Sequence, residues 1–132
     1  MTSLSLHAFL LVAFGGALGA SLRYITTVYI TRWLGSGFPF GTLIVNIVGS
    51  FFMGVLITIL ARYVDGGSQL RLLLAVGFLG SYTTFSAFSL EIFTLLERNE
   101  TLAATVYIAI SLTGTLSATL LGMWITKALG TE

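Results

Sequence analysis

The sequence predicts an all-α membrane protein of four transmembrane helices, the third of them broken in mid-membrane. Three observations carry this. Hydrophobic residues make up 56% of the 132-residue chain, charged residues only 8%, and mean hydropathy is +1.00. A soluble domain carries about 25% charged residues. Apolar stretches long enough to cross a bilayer alternate with short polar segments. One of these stretches, Leu72 to Leu90, has no charge yet holds Gly77, Gly80, the hydroxyl run Tyr82-Thr83-Thr84, and Ser86 and Ser89. Lipid satisfies none of those polar groups. They are tolerated at membrane depth only where protein buries them or they line a polar cavity.

The chain reads as one domain, 1–132, with spans at about 6–30, 40–60, 72–96 and 102–126. A β-barrel would alternate apolar and polar residues with period two, and that pattern is missing. The first apolar run is too long for a removable signal peptide and lacks a basic leader. The chain has no cysteine, and its net charge of +1 argues against nucleic acid as a partner.

The first span is rich in small residues, and Gly15 and Gly19 form a pair four apart that lets another helix approach closely. Arg23 lies inside it and has two readings: a side chain snorkelling to the interface, or a buried cation that biases the interior toward anions. Tyr29 and Trp33 mark an interface. Gly35-Ser36-Gly37 is a turn, and Pro39 suits the start of the second helix.

In the second span Thr42, Asn46 and Ser50 fall on one face. Asn46 is the costliest to place in lipid. It serves either as an interhelical hydrogen bond worth about 1 kcal/mol or as a donor aimed into a polar track. In the third span Gly80 to Thr84 should interrupt the helix, since glycine and β-branched residues are weak helix formers. Phe85 and Phe88, three apart, share a face; taken alone, such a pair is core packing. Glu91 follows one turn later and reads as a solvated vestibule carboxylate. Thr101 is a candidate cap for the fourth span, where Tyr107, Ser111 and Thr115 form another one-sided polar stripe.

Six basic residues divide evenly. Arg62, Arg71 and Lys127 lie on the side of the termini, and Arg23, Arg32 and Arg98 on the other. Basic residues near span ends set orientation, so an even count predicts insertion both ways and an antiparallel homodimer with its two-fold axis in the membrane plane.

No metal cluster, nucleophile–base pair or phosphate loop is present, which excludes an enzyme. The polar groups at depth are nearly all neutral donors plus one arginine. Donor-rich, acid-poor linings select anions, and phenylalanine ring edges carry the positive end of the quadrupole. Two other classes stand beside a channel. A small dual-topology multidrug exporter would need a buried carboxylate, for which Glu91 is the candidate. In a non-transporting assembly protein the stripes would be helix glue.

These residues resemble the Fluc (CrcB) family of fluoride ion channels over essentially the whole chain. The resemblance rests on Gly16-Ala17-Leu18-Gly19-Ala20-Ser21-Leu22-Arg23, on Gly41-Thr42-Leu43-Ile44-Val45-Asn46-Ile47-Val48-Gly49, on Gly77 to Ser89, and on Tyr107 to Thr115. It implies a fluoride-selective channel in the inner (plasma) membrane, exporting fluoride passively from the cytoplasm, as a dual-topology homodimer with two pores. It implies that Phe85 and Phe88 are pore phenylalanines, Asn46 the pore asparagine, and Tyr107, Ser111 and Thr115 a polar track. Thr42, Thr84 and Ser86 join that pore, with Arg23 near its entrance. It also implies a structural sodium ion on the dimer axis, held by the main-chain carbonyls of Gly80 and Thr83. Two positions depart from the family pattern: Ser81 replaces a second glycine and stiffens the break, and Ala87 replaces a common threonine.

Overall fold

A computed structural model describes residues 4–130 of the chain; the ends of the 1–132 domain lie outside the described residues. Four helical spans are long and apolar enough to cross a membrane. Ser5 starts α1 (Leu6–Leu34), its hydroxyl accepting the Ala8 N–H at 3.1 Å. Gly35 ends it at φ 84°, a left-handed backbone that favours glycine, and returns its N–H to the Thr31 carbonyl. Pro39 precedes α2 (Phe40–Tyr63), and its carbonyl accepts the Leu43 N–H.

The third span has two halves. The first, α3 (68–82), opens with an α-turn, Ser68–Leu70, continues as a π-helix over Arg71–Leu79 and closes with the α-turn Gly80–Tyr82. Two extended residues, Thr83 and Thr84, follow. The second half is α4 (Phe85–Glu97), and the last span is α5 (Thr101–Leu129). Glu100, not Thr101, takes the N-cap position of α5, with no side-chain cap.

The break is therefore narrower than the sequence suggests. Gly80 to Tyr82 stay helical, and only the two β-branched residues leave the helix. Weak propensity marks the region, but a tertiary bond to α2, described below, selects the residues.

Close backbone contact holds the spans together. Gly15 and Gly19 of α1 face the Leu73 and Phe78 carbonyls of α3 so closely that a Cβ at either would run into backbone. The α2–α5 pair is reciprocal: Gly54 faces the Thr119 carbonyl and Gly122 faces the Phe51 carbonyl. Lipid offers apolar side chains as good a home as another helix does, so such small-residue contacts, not burial of leucines, drive association. Accordingly Phe9, Phe14, Leu116, Leu120 and Trp124 point outward. A small core of Leu43, Phe88, Leu95, Ala104 and Tyr107 fills the space between α2, α4 and α5.

Candidate functional site

The site is built around Thr84. Its backbone is extended, at φ −153° and ψ 127°. In an unbroken helix its N–H would close onto the Gly80 carbonyl. Instead it donates to Asn46 Oδ1 at 2.8 Å, while Asn46 Nδ2 donates to the Thr84 carbonyl at 2.9 Å. The Thr84 hydroxyl then caps α4 by accepting the Ala87 N–H at 3.2 Å, and lies 3.3 Å from Ser86 Oγ. That cap takes the N–H which a continuous helix would give to the Thr83 carbonyl. The Gly80 and Thr83 carbonyls are thus both released from the helical ladder. The Thr83 carbonyl accepts from Arg23 Nη1 at 3.3 Å.

Beside the break lies a cavity of about 390 Å³. It is lined by Asn46 and Ser50 from α2, by Gly80, Thr83, Thr84, Phe85 and Phe88 around the break, and by Ser111, Leu112 and Thr115 from α5. Among the described residues, no charged side chain lines it. Ser111 is only 5% exposed, and its hydroxyl has no hydrogen-bond partner among the described residues. A buried polar group normally has one, because leaving it bare costs about 1–3 kcal/mol. Thr115 differs: its hydroxyl donates back to the Ser111 carbonyl at 2.6 Å. The Phe85 and Phe88 rings are 5.4 Å apart and tilted by 49°. Phe88 is buried against Tyr107, with centroids 5.2 Å apart, whereas Phe85 is 75% exposed on the single chain.

A second cavity of about 480 Å³ lies across the break, walled by Arg23, Thr27, Thr42, Thr84, Ser86 and Glu91 among others. Thr84 is common to both. A third, of about 200 Å³, shares Glu91 with the second and reaches Ser36 and Arg98 at the loop face. The three form a series from the membrane interior to the end of the bundle. Glu91 stands at a junction with both oxygens occupied: Thr42 donates to Oε1 at 2.7 Å and Tyr107 to Oε2 at 2.6 Å.

The sequence-predicted residues therefore separate into groups. Asn46, Thr84, Phe85, Phe88, Ser111 and Thr115 meet at the first cavity. Thr42, Ser86 and Arg23 meet at the second. Tyr107 is fully buried behind Phe88 and spends its hydroxyl on Glu91. Arg23 is half-buried on the cavity wall, which favours the second of its two readings over snorkelling. Of Asn46, Ser111 and Thr115, Ser111 has its hydroxyl unengaged among the described residues, Asn46 keeps one N–H, and Thr115 spends its hydroxyl on the Ser111 carbonyl. Ser50 was on the sequence stripe and belongs to the site. Glu91 is half-buried at the cavity walls with a hydroxyl donor on each oxygen, and its link to Thr42 could not be read from a separation of 49 positions along the chain.

Comparison with known proteins places this architecture. Residues 10–123 match the family model described as CrcB-like protein, Camphor Resistance (CrcB). A fluoride-specific ion channel FluC of Rhizobium johnstonii is 49% identical over 120 residues, covering 91% of this chain and 96% of the relative. The FluC of a Chelativorans species is 44% identical over 124 residues, covering 94% and 99%. That of Hyphomonas neptunium is 49% identical over 123 residues, covering 92% and 97%.

Proposed function

Because the chain belongs to the CrcB family, we propose that it conducts fluoride selectively and passively out of the cytoplasm, as an antiparallel homodimer with two pores. It is a multi-pass membrane protein and not an enzyme; the plasma membrane is where such export acts. The single observation that carries the reading is the orphaned Ser111 hydroxyl, buried at the wall of a cavity without charge. A donor with no protein partner is complementary to an anion that has shed water. A fixed cation there would hold fluoride too tightly, since conduction needs sites weak enough to leave. Neutral donors and the edges of Phe85 and Phe88 supply weak serial attraction. Chloride is excluded by width, and cations by the donor dipoles and Arg23.

The exposed Phe85 ring at the open side of the cavity supports a second copy closing the pore. The released Gly80 and Thr83 carbonyls suit a hard cation, which takes oxygen ligands. One chain offers two of them, and a second copy would add two more around a shared sodium ion. Such an ion would neutralise the facing carbonyl dipoles and lock the breaks together, while Arg23 supports Thr83 from the side. The multidrug-exporter alternative finds no support in the relatives, and its candidate carboxylate, Glu91, has both oxygens engaged.

The test is ion efflux from liposomes holding the purified protein. Fluoride should leave rapidly down its gradient while chloride is retained, with no requirement for a proton gradient. Equal fluoride and chloride fluxes, or fluoride flux only when protons are driven, would refute the reading.

A further inference from the structure

A separate groove lies between α2 and α5 at the end of the bundle that carries the chain's termini. It encloses about 520 Å³ and is lined by Ile57, Thr58, Ala61, Arg62, Met123 and Lys127. Its two ends differ in chemistry. Toward the membrane interior the walls are Ile57, Ala61 and Met123, and the Thr58 hydroxyl is spent on the Gly54 carbonyl at 2.8 Å. Toward the outside stand two cations and, among the described lining residues, no carboxylate. Arg62 is tethered: its Nη1 donates to the Lys127 carbonyl at 3.3 Å, and its guanidinium carbon sits 5.8 Å from the Tyr63 ring centroid. One of five guanidinium N–H groups is thus used among the described residues. Tyr63 and Trp124, 58% and 67% exposed, fix this level as the membrane–water interface.

We propose that this groove binds an anionic phospholipid, its phosphodiester between Arg62 and Lys127 and an acyl chain along Ile57, Ala61 and Met123. Two observations argue for that occupant. Charge complementarity requires an anion, and a guanidinium grips phosphate in a fork that few other groups match. The apolar continuation of the groove, at acyl-chain depth, requires a hydrocarbon attached to it. Phosphatidylcholine carries the phosphate too, but its quaternary ammonium would face two cations. A lipid with an uncharged glycerol headgroup escapes that repulsion. Bound there, the lipid bridges the ends of two helices whose backbones meet through Gly54 and Gly122.

Trp124, one turn from Lys127, reports on this groove. The chain has two tryptophans, so Trp33→Phe leaves Trp124 alone. That protein is reconstituted in phosphatidylcholine vesicles with rising fractions of brominated phosphatidylglycerol, whose bromines quench on contact. We expect phosphatidylglycerol to associate about fivefold more strongly than phosphatidylcholine, as one basic side chain's attraction to an anionic surface provides. In Arg62→Gln with Lys127→Gln the ratio falls to about one. Arg71→Gln, which removes one charge from the same end but outside the groove, as Lys127→Gln does within it, leaves it in place. Should the double variant fail to fold, Lys127→Gln alone, on an exposed side chain, lowers the ratio part-way. A ratio near one in the starting protein overturns the proposal. So does an equal loss in Arg71→Gln, which makes the attraction diffuse, or an undiminished ratio when the groove cations are removed.

Discussion

Asn46 holds Thr84 on both sides of its Cα, accepting its N–H at 2.8 Å and donating to its carbonyl at 2.9 Å. The side-chain amide takes up the Thr84 N–H that the break frees from the helical ladder, and adds a bond to the carbonyl at the N-cap of α4. Asn46 is in this respect a positioning residue: it sets where the third span opens, and thereby where Phe85 and Phe88 begin α4.

Replacing it should therefore cost stability as well as flux. Asn46→Ala leaves the partly buried Thr84 N–H unpaired, at about 1–3 kcal/mol. Asn46→Asp keeps the acceptor for the Thr84 N–H but turns a carboxylate oxygen toward the Thr84 carbonyl and into an anion cavity. We expect Asn46→Asp to fall furthest in fluoride efflux, and Asn46→Ala to be destabilised in denaturant titration. If Asn46→Ala unfolds like the parent, the clamp does not hold the break.

The two phenylalanines should separate in the same assays. Phe88 packs on Tyr107 in the core, whereas Phe85 projects from the single chain. Changing either to isoleucine keeps apolarity and removes the ring edge. Flux should drop roughly tenfold in both, equal to about 1.4 kcal/mol of barrier. Phe88→Ile alone should also lose about 1–2 kcal/mol of stability within each chain. Fluoride conduction at the parent rate in both variants would leave the rings as packing only.

Glycine substitutions should follow what each Cβ meets. At Gly122 it meets the Phe51 carbonyl, which is backbone and cannot yield; at Gly114 it meets the mobile end of Ile47 at 2.9 Å. Gly122→Ala should cost about 1–3 kcal/mol, and Gly114→Ala much less. Denaturation of the two variants side by side checks the order.

Topology offers a further test. Arg23 lies 11 positions before the end of α1, about 16 Å along its axis at 1.5 Å per residue. Held on the cavity wall, it does not act as a loop charge. The count becomes Arg62, Arg71 and Lys127 against Arg32 and Arg98, a difference of one, so near-equal insertion in both senses is still expected. Two lysines added beside Arg98 should bias the chain to one orientation and abolish flux, with rescue by an oppositely biased copy. Labelling that finds a single orientation in the unmodified protein excludes the antiparallel dimer.

Much of this was legible because membrane constraints are local. Four apolar runs and the glycines at Gly15 and Gly19 announce spans and a close contact without any tertiary knowledge. Of the hydroxyl stripes, Asn46, Ser50, Ser111 and Thr115 line one cavity, while Thr42 and Tyr107 turn to Glu91. What periodicity cannot give is which partner each polar group takes. Thr42, Asn46 and Ser50 share a stripe, yet Thr42 turns to Glu91, Asn46 to the Thr84 backbone, and Ser50 to open space in the cavity. The same limit explains Glu91. From sequence it is one acid near a helix end; its two hydroxyl donors come from α2 and α5, and only the packed fold brings them within reach.

Ser111 gives the most discriminating experiment. Its hydroxyl is buried and unpartnered in the single chain, so in the folded protein it is a cost rather than a support. Removing a merely structural serine would weaken the fold, and removing a misplaced one would change nothing else. Ser111→Ala should instead leave stability unchanged or raise it by about 1 kcal/mol, while fluoride efflux falls severalfold because the anion loses a donor at the wall of the uncharged cavity. Ser111→Thr, which keeps the hydroxyl but adds a methyl, should retain part of the flux. The two readouts moving in opposite directions separate a transport group from a packing group. A drop in stability with unchanged flux would show that Ser111 finds a partner in the assembled protein, and that the anion is received elsewhere.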